Sequence, residues 1–114
     1  MKNTVSLKKN YEFRRLYSKG KSAVSPYGVV YWRKNNSGRN RLGVTVSTKL
    51  GKAVVRNRIR RRYREIYRLN EDRLVTGCDI VIVARGKSRD AEFARMEKDF
   101  LKLCGKLGIC KDTI

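Results

Sequence analysis

Residues 49–68 read KLGKAVVRNRIRRRYREIYR, a basic stretch with seven arginines between Arg56 and Arg68. At about 3.6 residues per turn, its apolar side chains fall in one arc of a helix, namely Val55, Ile59, Tyr63, Ile66 and Leu69. The opposite arc holds Arg56, Asn57, Arg60, Arg61, Arg64, Tyr67 and Arg68. The stretch therefore predicts a helix from Ala53 to about Asn70 with one face in the core and one face of guanidinium groups. Arg62 falls in the apolar arc, so we expect its side chain to carry the head group out along the edge.

The charged residues of this helix are nearly all positive, whereas a helix that is only solvated alternates positive and negative residues. Arginine recurs at every fourth position, as Arg56, Arg60, Arg64 and Arg68, and Glu65 is the only acid among them. Like charges at this spacing destabilise an isolated helix. The guanidinium fork binds phosphate oxygens bidentately and stacks on bases, and Asn57 adds an amide that can reach a base edge or a 2′-hydroxyl. The pattern favours a nucleic acid partner over an ordinary solvated face.

The whole chain is also strongly basic. Its 114 residues include 29 Lys and Arg against 10 Asp and Glu, a formal net charge of +19. A surplus of this size opposes folding by self-repulsion and indicates a polyanionic partner. The chain has no histidine, which excludes Ser/His/Asp and Cys/His catalysis and metal sites built on histidine. A self-sufficient enzyme would lack much of its usual chemistry here, and we expect no catalytic residue. We also expect no metal site, because no carboxylates gather at the spacing of a dedicated site.

The remaining composition is that of a globular protein, with 40% hydrophobic residues and one proline. The longest uninterrupted apolar run, Ile80 to Ala84, is far shorter than the roughly 18 residues of a membrane span, and the N-terminus lacks the apolar stretch of a signal peptide. Cys78, Cys104 and Cys110 form no Cys-x-x-Cys pair, which indicates free thiols in a reducing compartment. We expect a cytoplasmic protein with no membrane partner.

The segments before the basic helix predict one helix and two or three strands. Phe13, Leu16 and Tyr17 have helical spacing between Lys8 and Lys19, with Asn10 as a possible N-cap and Gly20 as a stop. A brief edge strand at 21–25 and an aromatic, β-branched strand at 27–33 follow. Leu42, Val44 and Val46 alternate within 41–47 after a turn at 35–40. We expect the strands at 27–33 and 41–47 to form a hairpin with one buried face.

The segments after the basic helix predict a central strand and a last helix. Residues 78–85 are nearly all apolar, as in strands covered on both faces. Asp90 can cap a helix in which Phe93, Met96, Phe100, Cys104 and Leu107 recur every three or four residues. The order α-β-β-β-α-β-α argues for an α/β (α+β) fold, a two-layer sandwich of a mixed four-stranded sheet and three helices. We expect residues 1–114 to form a single RNA-binding domain.

RNA fits the basic helix better than DNA does. A helix in the major groove of DNA reads bases with a few side chains, whereas this helix presents guanidinium groups along much of its length. Phe13, Tyr17 and Tyr31 could line a groove in which unpaired bases stack, each stack contributing about 1–3 kcal/mol. Their spacing is at least as consistent with an ordinary core.

The segment KLGKAVVRNRIRRRYRE, preceded by LGVTVS, resembles the signature of the bacterial ribonuclease P protein subunit family. The resemblance extends over nearly the whole chain, through LKKNYEF near the N-terminus, the aromatic strands and the IVIVAR strand. Two details depart from the family pattern: Thr48-Lys49 replaces a frequent Lys-Lys pair, and Lys52 stands where an N-capping side chain would help. These departures bear on where the helix begins.

The resemblance implies a fold detail and a function. It implies a left-handed βαβ crossover, an exception to the usual right-handed connection. Family members bind a large catalytic RNA, and the ribonucleoprotein removes the 5′ leader of precursor tRNA by an Mg²⁺-dependent endonucleolytic cut. The RNA and its magnesium ions carry out the hydrolysis, while the protein holds the leader. The resemblance thus implies an enzyme subunit whose partners are the catalytic RNA and precursor tRNA, with no obligate protein partner.

The resemblance also assigns roles to residues. The expected RNA-binding group is Arg56, Asn57, Arg58, Arg60, Arg61, Arg64 and Arg68, and the expected leader-binding cleft is lined by Phe13, Tyr17 and Tyr31. The acidic neighbours Glu71 with Asp72 and Glu97 with Asp99 are interpreted as solvated surface groups. We therefore expect the protein alone to bind no cofactor, and the magnesium that the holoenzyme requires to lie mainly on RNA phosphates.

Three other functions share the charge and size of this chain. A small ribosomal or ribosome-assembly protein would copurify with ribosomal RNA. A DNA-binding repressor would prefer duplex DNA in direct competition. An autonomous nuclease would cleave without an RNA subunit.

Overall fold

The secondary structure follows the hydrophobic pattern of the sequence, with one added strand. The computed structural model describes residues 3–111. Its strands are β1 (Thr4–Ser6), β2 (Lys21–Val24), β3 (Gly28–Lys34), β4 (Asn40–Thr45) and β5 (Cys78–Ala84), and its helices are α1 (Asn10–Lys19), α2 (Ala53–Asn70) and α3 (Phe93–Leu107). The mixed sheet with three helices is confirmed, with five strands instead of four. None of these helices has the length and apolar character needed to cross a membrane.

The sheet has the order β1-β4-β5-β3-β2, and β5 lies at its centre. β5 pairs in parallel with β4 and antiparallel with β3. The expected hairpin between β3 and β4 is therefore wrong, because β5 lies between them. The hairpin in this sheet is β2–β3. β4, α2 and β5 form the βαβ crossover that joins two parallel neighbours.

The strand missed in the sequence is β1, which pairs in parallel with β4. It has only three residues, and its side chains are exposed or half-buried. Such a segment has no apolar alternation, so its pairing depends on the edge that β4 offers. This is a tertiary effect that local sequence does not encode.

The sheet is covered on both faces. α2 and α3 pack on one face, where the even-numbered residues of β5, such as Ile80 and Ile82, join the main core. α1 lies on the other face, where Leu16 packs with Leu7 and Val81 of β5. The prediction that β5 is central and buried on both sides is confirmed.

α2 contributes Ile59, Tyr63 and Ile66 to the core, as its apolar arc predicts. Two arc assignments are wrong: Leu69 of the apolar arc is 53% exposed, and Tyr67 of the opposite arc is fully buried. Tyr67 is the more informative of the two. The reason is a polar network around the Tyr67 hydroxyl, which lies 2.8 Å from Oγ1 of Thr4 and accepts a hydrogen bond from Nδ2 of Asn40 at 3.1 Å. Tyrosine can enter the core here because its hydroxyl has partners.

Two helices begin differently from the predictions. α1 begins at Asn10 itself, and Oε1 of Glu12 accepts a hydrogen bond from the Lys9 backbone N–H at 3.3 Å. The N-cap of α3 is Glu92 and not Asp90. The N-cap of α2 is Lys52, whose side chain makes no capping bond, as its chemistry predicts.

The Phe13 ring of α1 packs directly over Gly43 of β4. A Cβ atom at this position would lie 2.5 Å from Cε1 of the Phe13 ring. We expect Gly43→Ala to reduce the free energy of unfolding by about 1–3 kcal/mol, because the ring must shift out of a packed position. Urea denaturation measures the effect.

The matched control is Gly105→Ala, because nothing lies within 4 Å of a Cβ placed at this exposed position in α3. This control should raise stability by up to about 1 kcal/mol through helix propensity. Equal stability of the Gly43→Ala variant and the unmodified protein would contradict the close approach.

Candidate nucleic-acid interface

One side of α2 presents a shallow basic depression. It is lined by Val54, Asn57, Arg60, Arg61 and Arg64, which recur at three- and four-residue spacing. The apolar stripe on the other side of the helix fixes its rotation, so these side chains face away from the sheet. The structure thus brings together four of the seven expected RNA-binding residues of α2.

The other three expected residues of α2 lie beside protein acceptors. Arg56 donates from Nε to the Gly51 carbonyl oxygen at 3.1 Å. Arg58 donates from Nη2 to the Arg89 carbonyl oxygen at 3.3 Å. Arg68 pairs with Glu65 one turn earlier, which raises the pKa of the Arg68 guanidinium and lowers the pKa of the Glu65 carboxyl.

The Arg62 side chain extends away from the apolar arc, as expected, and its guanidinium binds a backbone carbonyl of the protein. Its Nη1 atom donates to the Ala91 carbonyl oxygen at 2.6 Å, just before α3 begins. The side chain is half-buried. Arg62 therefore ties α2 to the start of α3.

Arg61 and Arg64 differ from these neighbours. Both are exposed, and within residues 3–111 neither guanidinium has a hydrogen-bonding partner. Among the described residues, the one hydrogen-bond partner of the Arg60 guanidinium is Oδ1 of Asn57, at 2.9 Å. The depression therefore holds cationic groups that are free to bind an external anion.

The start of α2 adds to the positive potential of this face. The first turn contains no acidic residue, and Lys52 at the N-cap supplies no side-chain acceptor. The N–H groups of the first turn and the positive end of the helix dipole are therefore not compensated by an acid in this turn. Val54 is 78% exposed there, beside Asn57 in the depression. An anion bound in this region would supply the missing compensation.

A second surface lies on the opposite side of the sheet, between α1 and β4. Its depression is lined by Asn10, Phe13, Arg14, Tyr17 and Thr45, and is named the aromatic cleft here. The Tyr17 hydroxyl lies 3.3 Å from Oγ1 of Thr45. The cleft combines an aromatic wall with one cation and several polar groups.

The three expected cleft aromatics have different surroundings. The ring centroids of Tyr17 and Tyr31 lie 5.0 Å apart in an edge-to-face arrangement. Tyr17 is 41% exposed, whereas Tyr31 and Phe13 are half-buried. The Phe13 ring packs over Gly43. Tyr17 therefore offers free ring surface, while Phe13 and Tyr31 also belong to the small core under α1.

Three lining residues of the aromatic cleft were not predicted, namely Asn10, Arg14 and Thr45. A signal for two of them was present, because Asn10, Phe13, Arg14 and Tyr17 follow the i, i+3, i+4, i+7 spacing of one helix face. Thr45 comes from β4, and its position beside Tyr17 depends on how α1 crosses the sheet.

Three buried groups of the described residues are held in their protonated forms. Burial raises the pKa of the Cys78 thiol to about 11, and it also raises the pKa of the Cys104 thiol and of the Tyr63 hydroxyl. Cys78 and Cys104 are buried free thiols, as predicted. Within residues 3–111, no group of three or more Cys, Asp or Glu side chains could hold a metal ion. The residues present therefore do not fit a magnesium site in the protein.

The sequence matches the family model described as "Ribonuclease P" over residues 1–108. The chain belongs to the ribonuclease P protein family. This ribonuclease P protein is 47% identical over 102 residues to the ribonuclease P protein component of Thermoanaerobacter sp. (strain X514), covering 90% of this chain and 88% of that protein. It is 44% identical over 107 residues to that of Clostridioides difficile (strain 630), covering 93% of this chain and 94% of the relative.

Solved structures of ribonuclease P proteins have the same fold. The RNase P protein of Staphylococcus aureus superposes with a TM-score of 0.84 at 32% identity, covering 91% of this chain and 95% of that one. The RNase P protein of Thermotoga maritima superposes with a TM-score of 0.79 at 35% identity, covering 85% and 92%.

Family membership establishes what class of molecule this is. The chain is a protein subunit of ribonuclease P, a ribonucleoprotein endonuclease of tRNA processing. Its partner is the RNA of that enzyme. RNA binding follows from the family, and the free guanidinium groups of α2 give it a physical basis.

Proposed function

We propose that this protein holds the 5′ leader of precursor tRNA in its aromatic cleft while α2 binds the catalytic RNA, so that the RNA cuts the leader from the mature 5′ end. In this proposal, residues 1–114 act as one RNA-binding domain in the cytoplasm. The observation that carries the proposal is the presence of two chemically different surfaces on opposite sides of one sheet. One has unpaired guanidinium groups, and the other has an exposed tyrosine ring beside a cation.

The α2 depression suits a folded RNA backbone. Arg60, Arg61 and Arg64 present planar groups that bind phosphate oxygens bidentately. The uncompensated positive end of α2 adds a fixed charge that attracts phosphate. The expected contacts of Arg56, Arg58 and Arg68 are retained in the proposal, but each requires its side chain to leave or share an acceptor in the protein.

The aromatic cleft suits a single strand. An unpaired base can stack on the exposed part of Tyr17, with Tyr31 and Phe13 supporting that ring. Arg14 lies where it can neutralise a neighbouring phosphate, and Asn10 and Thr45 offer hydrogen-bonding groups. A folded duplex has few unstacked bases to offer, so the cleft favours the leader over mature tRNA.

Hydrolysis belongs to the RNA in this proposal. Among the residues that the structure describes, no cluster of metal ligands is present, and burial raises the pKa of the Cys78 thiol. Magnesium is proposed to be held on RNA phosphates, and the protein contributes binding and orientation. The protein alone is expected to leave precursor tRNA intact.

Arg61 and Arg62 are adjacent but have opposite surroundings, which makes them a matched pair. We expect Arg61→Ala to weaken binding of the catalytic RNA and to reduce the slope of log K against log salt by about one, because one phosphate contact is lost. Its effect on protein stability should lie within about 0.5 kcal/mol. Filter binding at several salt concentrations and urea denaturation measure the two effects.

Arg62→Ala should reduce stability and leave RNA binding unchanged. It removes the bond to the Ala91 carbonyl oxygen and should lower the free energy of unfolding by about 1–3 kcal/mol, while the folded variant keeps the salt slope of the unmodified protein. An unchanged slope for Arg61→Ala would count against phosphate contact at this position.

Reconstitution with the catalytic RNA at low magnesium tests the function as a whole. Addition of the protein should increase both the rate of precursor cleavage and the affinity for precursor tRNA. Tyr17→Ala should reduce the affinity for leader-bearing precursor by about tenfold, since one stack of about 1–3 kcal/mol is lost, and should spare mature tRNA. Fluorescence binding to the two substrates measures the difference.

The control is Tyr11→Ala, because Tyr11 is also exposed on α1, by 50%, but does not line the aromatic cleft. It should leave both affinities unchanged. No gain from the protein over RNA alone would refute the proposed function, and equal losses for precursor and mature tRNA on Tyr17→Ala would refute leader binding in the cleft.

A further inference from the structure

We propose that Glu12, Arg41 and Asp79 are positioning residues that set the distance between α1 and the sheet and thereby the width of the aromatic cleft. The inference rests on the proposed function, since it concerns the cleft that would hold the leader. None of the three lines the cleft itself. They lie on the same face of the sheet, within the contact between α1 and β4.

Arg41 of β4 is the centre of this network. Its Nε and Nη2 atoms donate to the two carboxylate oxygens of Asp79 on β5, at 2.8 and 2.7 Å. Its Nη1 atom donates to Oε2 of Glu12 on α1. The hydrogen bond to Asp79 is the main cause of the raised pKa of the Arg41 guanidinium. One guanidinium group therefore joins the helix to two neighbouring strands.

The network is largely shielded from water. The side chains of Asp79 and Glu12 are 10% and 12% exposed, and that of Arg41 is 34% exposed. Oδ1 of Asp79 also accepts a hydrogen bond from Nδ2 of Asn35 at 2.9 Å. The two charge pairs are held by several directed bonds, which fixes their geometry.

Stability alone does not account for this arrangement. Removal of two carboxylates and a guanidinium from water costs free energy, and a well-packed apolar group of similar volume often stabilises as much. The chain has only 10 acidic residues against 29 basic ones, yet two acids are committed to one arginine here. What an apolar cluster would not supply is a fixed helix position, because apolar contacts have little directional preference.

The contacts between α1 and β4 occur in the same order along both elements. Arg41 contacts Glu12, Gly43 lies under the Phe13 ring, and Thr45 meets the Tyr17 hydroxyl. The last contact is a single exposed hydroxyl pair at 3.3 Å, which is too weak to hold the helix by itself. The position of Tyr17 therefore depends on contacts elsewhere along α1. These are the charge network, the Phe13 contact and the burial of Leu16 in the small core.

Glu12 provides a substitution that affects this network selectively. Its Oε1 atom caps the Lys9 backbone N–H, while Oε2 takes the bond from Arg41. Glutamine is also accepted at this helix position in a capping box. An amide has one acceptor oxygen where a carboxylate has two, so Glu12→Gln can keep the cap and lose the bond to Arg41.

The test uses the reconstituted holoenzyme with precursor and mature tRNA. Glu12→Gln should reduce the affinity for leader-bearing precursor by about fivefold, comparable to the net contribution of one ordinary hydrogen bond, and leave the affinity for mature tRNA and for the catalytic RNA unchanged. The matched control is Glu92→Gln, which removes the same charge at an exposed site away from α1 and should leave all three affinities unchanged.

Arg41→Lys provides a second variant, because it keeps the charge but removes the bidentate pair of hydrogen bonds to Asp79. The double variant Glu12→Gln with Arg41→Lys should lose less leader affinity than the sum of the two single effects, since the residues act as one unit. Thermal unfolding of each protein is measured in parallel. A merely structural role would lower the melting temperature and reduce precursor and mature tRNA binding together.

The outcomes separate this inference from the function on which it rests. If Tyr17→Ala loses leader affinity while Glu12→Gln and Arg41→Lys retain it, the positioning role is wrong and leader binding stands. If the network variants reduce all affinities equally, the role is general folding and the inference is also wrong. If Tyr17→Ala itself has no effect on leader affinity, both proposals fail.

Discussion

The packing of α2 on the sheet is the constraint on which the rest of this molecule depends. Ile59, Tyr63 and Ile66 are nearly inaccessible to water, and their burial offsets the repulsion among seven arginines on one helix. Because this stripe fixes the rotation of the helix, it also decides which guanidinium groups find acceptors in the protein and which remain free for RNA. The core and the proposed RNA-binding surface are thus two consequences of one helix orientation.

Most of this arrangement could be predicted from local pattern. The 3.6-residue period places α2 and its basic face, and the unbroken apolar run of residues 78–84 predicts a strand covered on both sides. Tyr67 lies one turn after Tyr63, at the border between the apolar arc and the arginine arc, where periodicity alone does not decide burial. Its burial depends on hydrogen bonds to Thr4 and Asn40, which come from two strands distant in sequence.

For the same reason, the sequence does not predict which arginines of α2 bind protein acceptors and which remain free. Arg61 and Arg62 are identical residues in adjacent positions, and only the carbonyl oxygen of Ala91 distinguishes them. The aromatic cleft was predicted in part, since Phe13 and Tyr17 share a helix face. Its β4 component was not, because the strand order that brings Thr45 beneath α1 is a property of the complete sheet.

The central position of β5 determines when the sheet can form during synthesis of the chain. β5 follows every other strand in the sequence, yet both β3 and β4 pair with it. During synthesis from the N-terminus, β1–β4 and β2–β3 can pair early, but these two halves cannot join until residue 84 has been added. Domains dominated by such long-range pairings fold late and slowly. Neither the α2 depression nor the aromatic cleft therefore has its final shape in a nascent chain that lacks β5, so both depend on the strand that is synthesised after all the others.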